Sequence, residues 1–455
     1  MVATRTEVDD LIDRALAHST AEATEALYMG QDAALTRFAN NRIHQNVREH
    51  DAILQVRVID RERIGVASTN RLDESGIRAV VQRAAAIAER SAPNPRAAIL
   101  PEPDGRSHDP ELGFVAGTAE AGAERRAEGA RAVIAAGQGV RLETAGSFAT
   151  AVMTIAVANS RGIRASHRST RASLLTVMMD GFASGAASGY AHAGAADVGD
   201  IDAEAIGAEA AEKGDRMRGA GALEAGEYEV ILEEYAVAGL MEYLSYIGFS
   251  GLALEEGRSF MDLGKKVMGN NVSIWDDGAD PSGMPGPIDF EGVVRKRIDI
   301  IRDGVATAVV HDAATGARAG TGSTGHGLPA PNLAGPMALN TFMAPGTTPR
   351  DELIAGIRRG IWVTRFHYIN PVHPKKAILT GMTKDGTFLI EDGKLTRPVL
   401  NFRFTQSIPE AFSGVRAASR ETKLLPGEFF GASRVPALHL GSFNFTGTTV
   451  SEGAA

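Results

Sequence analysis

The sequence predicts an α+β protein in two parts, a helix and antiparallel-sheet domain over residues 1–222 and a β-rich domain over 223–455. Three observations predict it. Apolar residues recur at helical spacing in Val8, Leu11, Ile12, Ala15 and Leu16, and again in Ile77, Val80, Val81, Ala84, Ile87 and Ala88. Between these stripes, Leu54, Val56 and Val58 alternate with Gln55 and Arg57, the period of a strand with one buried face. Beyond Gly264 the chain breaks into short strand-like runs punctuated by Gly and Pro.

The elements follow in order. After the first helix come strands over 25–30 and 33–39, a polar break at Asn40-Asn41, and a strand over 52–59; a turn at 60–63 leads into a strand over 64–68. Pro93 and Pro95 stop the second helix, and the proline-rich, charged stretch to Pro110 reads as an exposed connection. A helix over 119–136 precedes strands over 139–145, 149–158, 162–167 and 172–179, with Asn159-Ser160-Arg161-Gly162 as a hairpin signal. Residues 181–199, rich in Gly, Ala and Ser, fit either a small-residue strand or a loop, and 200–218 read as a helix closing the first domain near Ala222. In the second domain a strand over 228–232 leads into a helix over 233–246, with Val237, Leu240, Met241 and Leu244 on one face. A further helix is expected over 350–359, capped by Thr348 with Pro349 at its first position, and 316–346 reads as a long loop.

Hydrophobic residues at 44% and charged residues at 23% suit a globular core and exclude global disorder. The formal charge of −9 offers no net basic field, so nucleic acid is not expected as a direct ligand. The absence of cysteine removes disulfide scaffolds, thiolate nucleophiles, iron–sulfur clusters and Cys-ligated zinc, which leaves His, Asp and Glu as the main metal donors. Glu7, Asp9 and Asp10 interrupt the N-terminus before any apolar run, and no apolar stretch of about 18 residues occurs. A soluble, cytoplasmic protein with no membrane partner is the expectation.

Few local patterns carry chemistry. Gly320-Thr321-Gly322-Ser323-Thr324-Gly325 matches the dinucleotide string, but His326-Gly327-Leu328-Pro329-Ala330-Pro331 does not open the helix that pyrophosphate needs, so a flexible loop is the better reading. The helical zinc-protease string is absent. His44, Glu49, His50 and Asp51 fit no ligand spacing and read as a solvated strand end, while Ser250 and Ser323 have no base at a readable spacing. His367 and His373 flank a turn-like Asn370-Pro371 and, with His326, are the remaining candidate ligands, although a loop histidine is more often hydrogen-bonded or wet.

Asp289-Phe290-Glu291-Gly292-Val293, Asp303-Gly304-Val305, His311-Asp312, Ser323-Thr324-Gly325-His326 and Asn340-Thr341-Phe342-Met343-Ala344-Pro345-Gly346 form an ordered series that resembles the C-terminal half of the TldD/PmbA family. Gly360-Ile361-Trp362-Val363, the run 388–395 and Pro398-Val399 are similar to its closing strands. Residues 36–43 and 256–260 extend the similarity over nearly the whole chain. The resemblance implies a metallopeptidase acting on peptides and built from two related subunits, one with a zinc-binding His-Glu-x-x-x-His string and one without. Such a string spans five residues, about 140° past a full helical turn, so its imidazoles converge only where the helix ends or bends. Here the matching register is Met241-Glu242-Tyr243-Leu244-Ser245-Tyr246: Met241 and Tyr246 replace the two histidines and Glu242 keeps the acid. A thioether and a phenol are poor zinc donors at neutral pH. The chain therefore resembles the TldE (PmbA) type of subunit.

Three functional readings follow. The first is a subunit without its own zinc in a heterodimeric metallopeptidase, beside a TldD-like zinc subunit, with residues 320–332 and 367–373 lining a peptide chamber. The second is an autonomous metal peptidase using His326, His367 and His373 with Glu242 or Asp312. The third is a non-catalytic regulatory binding protein, in keeping with the family's association with gyrase modulation.

Overall fold

The computed structural model describes residues 4–181, 187–428 and 431–448. In chain order the elements are α1 (Arg5–Ala17), β1 (Ala23–Ala39), β2 (Arg42–Asp60), β3 (Arg63–Thr69), α2 (Glu74–Arg90), α3 (Ala116–Ala119), α4 (Ala123–Gly139), β4 (Glu143–Asn159), β5 (Arg164–Met179), β6 (Ser188–Ala195) and α5 (Ala203–Arg216). They continue with β7 (Gly226–Leu232), α6 (Glu234–Ile247), α7 (Gly251–Glu255), β8 (Ile274–Asp276), β9 (Ile298–Arg302), β10 (Val305–Ala306), α8 (Ala313–Ala319), β11 (Asn340–Met343), β12 (Arg359–His373), β13 (Ile378–Glu391), β14 (Lys394–Pro398), β15 (Phe402–Ser407), α9 (Ile408–Ser413), β16 (Val415–Pro426) and β17 (Ala432–Thr448). The expected α+β class is the observed one. Among the described residues no helix is long and apolar enough to cross a membrane.

The first sheet runs β3-β2-β1-β4-β5-β6, antiparallel throughout. Its strands are longer than the sequence suggests: β1 runs unbroken through Ala23–Ala39, and the Asn40-Asn41 turn, with φ of 50° and 59°, joins it to β2 in the left-handed geometry that favours tight hairpins. Side chains alternate faces along each strand. Phe148, Ala156 and Ala158 of β4 point to the helical side, where α1 and α2 pack over β1 and β2 while α4 and α5 pack over β4–β6. Thr4 starts α1 with a capping box: its hydroxyl accepts from the Glu7 amide at 3.3 Å, and Glu7 accepts from the Thr4 amide at 2.7 Å. The opposite face of the sheet turns toward the second half of the chain.

That half forms an 11-stranded sheet in which β17, β15, β13, β12 and β7 close on themselves, because β7 pairs with both β12 and β17. Phe366, Phe404, Phe443 and Phe445 fill one core together with Val237, Leu240, Met241 and Leu244 of α6.

Several expectations are corrected. The helix expected over 350–359 is a single 3-10 turn at Arg350–Glu352 followed by further turns. The Ala355 amide bonds back to Glu352 and the Ile357 amide to Ile354, and Arg359 already opposes Glu391 as β12 begins. Leu353 and Ile357 are nevertheless buried, so the apolar spacing reports a packed corner. The helix expected over 119–136 is α4, displaced by about one turn. Residues 316–319, read as loop, complete α8, and the glycine string therefore follows a helix, with Gly320, Gly322 and Gly325 all at positive φ. Of the stretch 181–199, residues 188–195 form β6 and 182–186 lie outside the described residues.

Candidate functional site

α6 presents the positions that the family resemblance singles out. Met241 is 0% exposed and belongs to the aromatic core, whereas Tyr246 is 50% exposed on the far side of the helix. The two diverge as their five-residue separation requires in a straight helix. Glu242, between them, lies at the edge of a cavity of about 110 Å³ with Tyr190, His192, Tyr235 and Arg365, and its carboxylate accepts the Glu428 amide at 3.0 Å. Tyr243 donates its hydroxyl proton to the Ile369 carbonyl and ties α6 to β12.

The N-terminus of α6 rests on buried charge. Glu233, fully buried, accepts from Lys213 at 2.6 Å, from Arg350 at 3.1 Å, from Thr364 at 2.8 Å and from the Trp362 indole. Burial pushes its carboxyl up, but Lys213 and Arg350 outweigh that and hold it below the usual carboxylate range. Glu234 lacks this compensation. Burial raises its carboxyl despite Arg350, and one of its oxygens has no hydrogen-bond partner among the described residues. Glu209 bridges Lys213 and Lys423; against the cost of burial the two ammonium groups bring it to about 2. Lys423 also donates to the Tyr235 hydroxyl at 3.0 Å, and Tyr235, His192 and Lys423 line a cleft of about 780 Å³ next to the Glu242 cavity.

Sequence reasoning missed most of these groups. Arg365 pairs with buried Asp385, which also accepts from Ser188, and its guanidinium stacks 4.4 Å over the Tyr190 ring. Burial lifts the Tyr190 phenol to about 12 and drops His192 to about 4, so both are neutral near pH 7. Only Lys384-Asp385-Gly386 left a local trace: Asp385 and Gly386 both take positive φ, and the β12–β13 pairing shifts register there.

The candidate histidines do not converge. His326 is 0% exposed and locked between the Asp276 carboxylate at 2.8 Å and the Thr324 hydroxyl at 2.8 Å. His367 stands on β12 beside α6, its imidazole pushed down by burial and then by Arg365, and His373 is exposed at the end of that strand. Asp312 caps α8, accepting from the Thr315 amide. Among the described residues no group of three or more His, Asp or Glu is placed to hold a metal ion. Residues 367–373 flank α6, whereas none of 320–332 borders the Glu242 cavity among the described residues.

The segment Asp289–Val293 serves a different purpose. Arg57 of β2 donates to Glu25 at 2.7 Å and to Glu291 at 3.1 Å, joining the two halves of the chain, and the other Glu291 oxygen accepts the Ala313 amide at 2.8 Å. Burial raises the Glu291 carboxyl, and the neighbouring carboxylates of Asp289, Glu25 and Asp312 add to this against the pull of Arg57.

A catalytic zinc needs about three protein ligands and an open position. At α6 the thioether is inside the core, the phenol is outside, and Glu242 alone borders the cavity, so these residues do not fit zinc.

Comparison with known proteins agrees with the architecture. Residues 28–88 match PmbA/TldA metallopeptidase domain 1, residues 118–218 its central domain and residues 225–447 its C-terminal domain. A metalloprotease from Methanothermobacter thermautotrophicus is 25% identical over 230 residues, covering 49% of each chain. A metalloprotease TldD homolog from Haemophilus influenzae is 29% identical over 189 residues, 36% of this chain and 37% of that one. The chain thus spans less than half the length of the curated relatives it matches. The crystal structure of TldE from Thermococcus kodakarensis superposes with a TM-score of 0.86 at 20% identity, over 97% of this chain and 100% of that one. With all three domains matched in order and the fold shared with TldE, the chain belongs to the TldD/PmbA metallopeptidase family.

Proposed function

We propose that this chain is the subunit without its own zinc in a TldD/TldE-type metallopeptidase that cleaves peptides, the metal being supplied by a TldD-like partner. The observation that carries this reading is the divergence of Met241 and Tyr246 around Glu242. The cleft of about 780 Å³ beside it is large enough for several residues of an extended peptide. In this role α6 and its buried charges form a rigid wall of the chamber, and hydrolysis belongs to the partner.

Purifying the chain alone and together with a TldD-like partner tests the proposal. Alone, it should carry no stoichiometric zinc and cleave no peptide; with the partner, peptidase activity should appear and the zinc should fractionate with the partner. Stoichiometric zinc and turnover in the isolated chain would overturn the reading.

A further inference from the structure

Away from Glu242, a cavity of about 300 Å³ lies between the helix-free face of the first sheet and the second half of the chain. Register sets its floor. Ile53, Met29, Ile155 and His167 stand in one row across β2, β1, β4 and β5, and Arg171 lies four residues along β5 on the same face. Met284, Phe290 and Arg295 border it from the other side.

The charges here do not balance. Among the described residues the Arg171 side chain makes no hydrogen bond or ion pair, and burial followed by the charge of Arg295 pushes its guanidinium below the usual range, with no carboxylate opposing. Arg295, 8% exposed, donates to Asn340 at 2.9 Å but leaves its Nε without a partner. The nearby acids face Arg295 rather than Arg171: Asp276, which accepts from His326 and the Asn340 amide, and Asp289, which accepts from the amides of Glu291, Val293 and Gly327, both feel the Arg295 charge. His167 is bonded to the Leu112 carbonyl and driven by burial to about 4, so it adds no charge near pH 7. Asp51 is exposed at the rim, three strand spacings or about 14 Å from β5.

A guanidinium half-buried beside an apolar floor, with no carboxylate next to it, is disposed to take up an anion. We infer that this cavity binds the C-terminal carboxylate of a peptide with an apolar last residue: Arg171 takes the carboxylate and the Met29, Ile53 and Ile155 floor takes the side chain. Planar guanidinium suits a carboxylate through two parallel N–H donors, and the volume, at the lower end for ligand sites, suits a chain end rather than a folded partner. Gly431 borders the cavity, and Glu428, which donates its amide to Glu242, lies three residues before it in the sequence. The choice of a peptide rests on the function proposed above; the recognised chemistry, a carboxylate on an apolar stem, is shared with aliphatic acids.

The test is direct binding to the isolated full chain by fluorescence anisotropy. The probe is a short apolar peptide, labelled at its N-terminus and made with a free or an amidated C-terminus. The free acid should bind at least about tenfold tighter, equivalent to about 1.4 kcal/mol. Arg171→Gln should reduce the acid to the affinity of the amide, Arg171→Lys should retain part of the difference, and the melting temperature of Arg171→Gln should hold or rise because a cation without a partner is removed. Equal binding of acid and amide, or unchanged affinity in Arg171→Gln, would overturn the site. Binding of octanoate without binding of the peptide would overturn the peptide as occupant. No zinc or turnover enters the measurement, so a failure of partner-dependent peptidase activity would strike the function proposed above and leave this binding result standing.

Discussion

Glu233 concentrates the residue-scale energetics. It is fully buried with donors from Lys213, Arg350, Thr364 and Trp362, an arrangement in which pairing must offset a large desolvation cost. Replacing Glu233 by Ala strands Lys213 and Arg350, and the expected loss is about 3–5 kcal/mol in urea unfolding. Because its carboxyl is held below the usual range, the stabilisation is present above the unfolded-state pKa and is lost as pH falls through the lower folded value. The acid limb of the stability profile should therefore be shallower in Glu233→Ala than in the parent; identical limbs would show that Glu233 is not ionised in the native protein. The sequence offered no way to see this group as a hub, since its partners lie on α5, β12 and the turn at Arg350, from 20 to 131 positions away. Met241 and Tyr246 were different: the family resemblance singled out their positions, and the structure buries the one and exposes the other.

Elements carry the next level. α2 sits so close to β3 that a Cβ on Gly65 would come within 1.9 Å of the Ala84 carbonyl oxygen and 2.4 Å of the Ala88 amide nitrogen. Both obstacles are helix backbone and cannot rotate away. Gly65→Ala should lower stability by about 1–3 kcal/mol as α2 is levered off the sheet, and a melting temperature equal to the parent's would refute this close docking. α1 and α2 were legible because each buries one stripe, and that stripe repeats with the helical period. The same signal misled at 350–359. Leu353 and Ile357 are buried there by neighbours from other elements, and the local backbone closes in three-residue turns around Gly356 before β12 starts.

At the scale of the whole molecule, Arg57, Glu25 and Glu291 join the first sheet to the second half of the chain. Burial raises the Glu291 carboxyl, so the folded state holds its proton more tightly than the unfolded chain does. Its contribution is fully present below the unfolded pKa and is lost as pH rises through the folded value. Stability should thus decline from the ordinary carboxylate range through neutrality, and Glu291→Gln should flatten that decline in urea midpoints measured across the range; an unchanged slope would assign the effect to another group. The sequence by itself determined the α+β class and the amphipathic helices, because periodicity is a property of neighbours along the chain. Only the tertiary structure decided which charges meet. It sealed His326 against Asp276, set Arg365 on Asp385 and left Arg171 facing an apolar floor, since these encounters follow from strand register and the docking of two sheets, which no local pattern encodes.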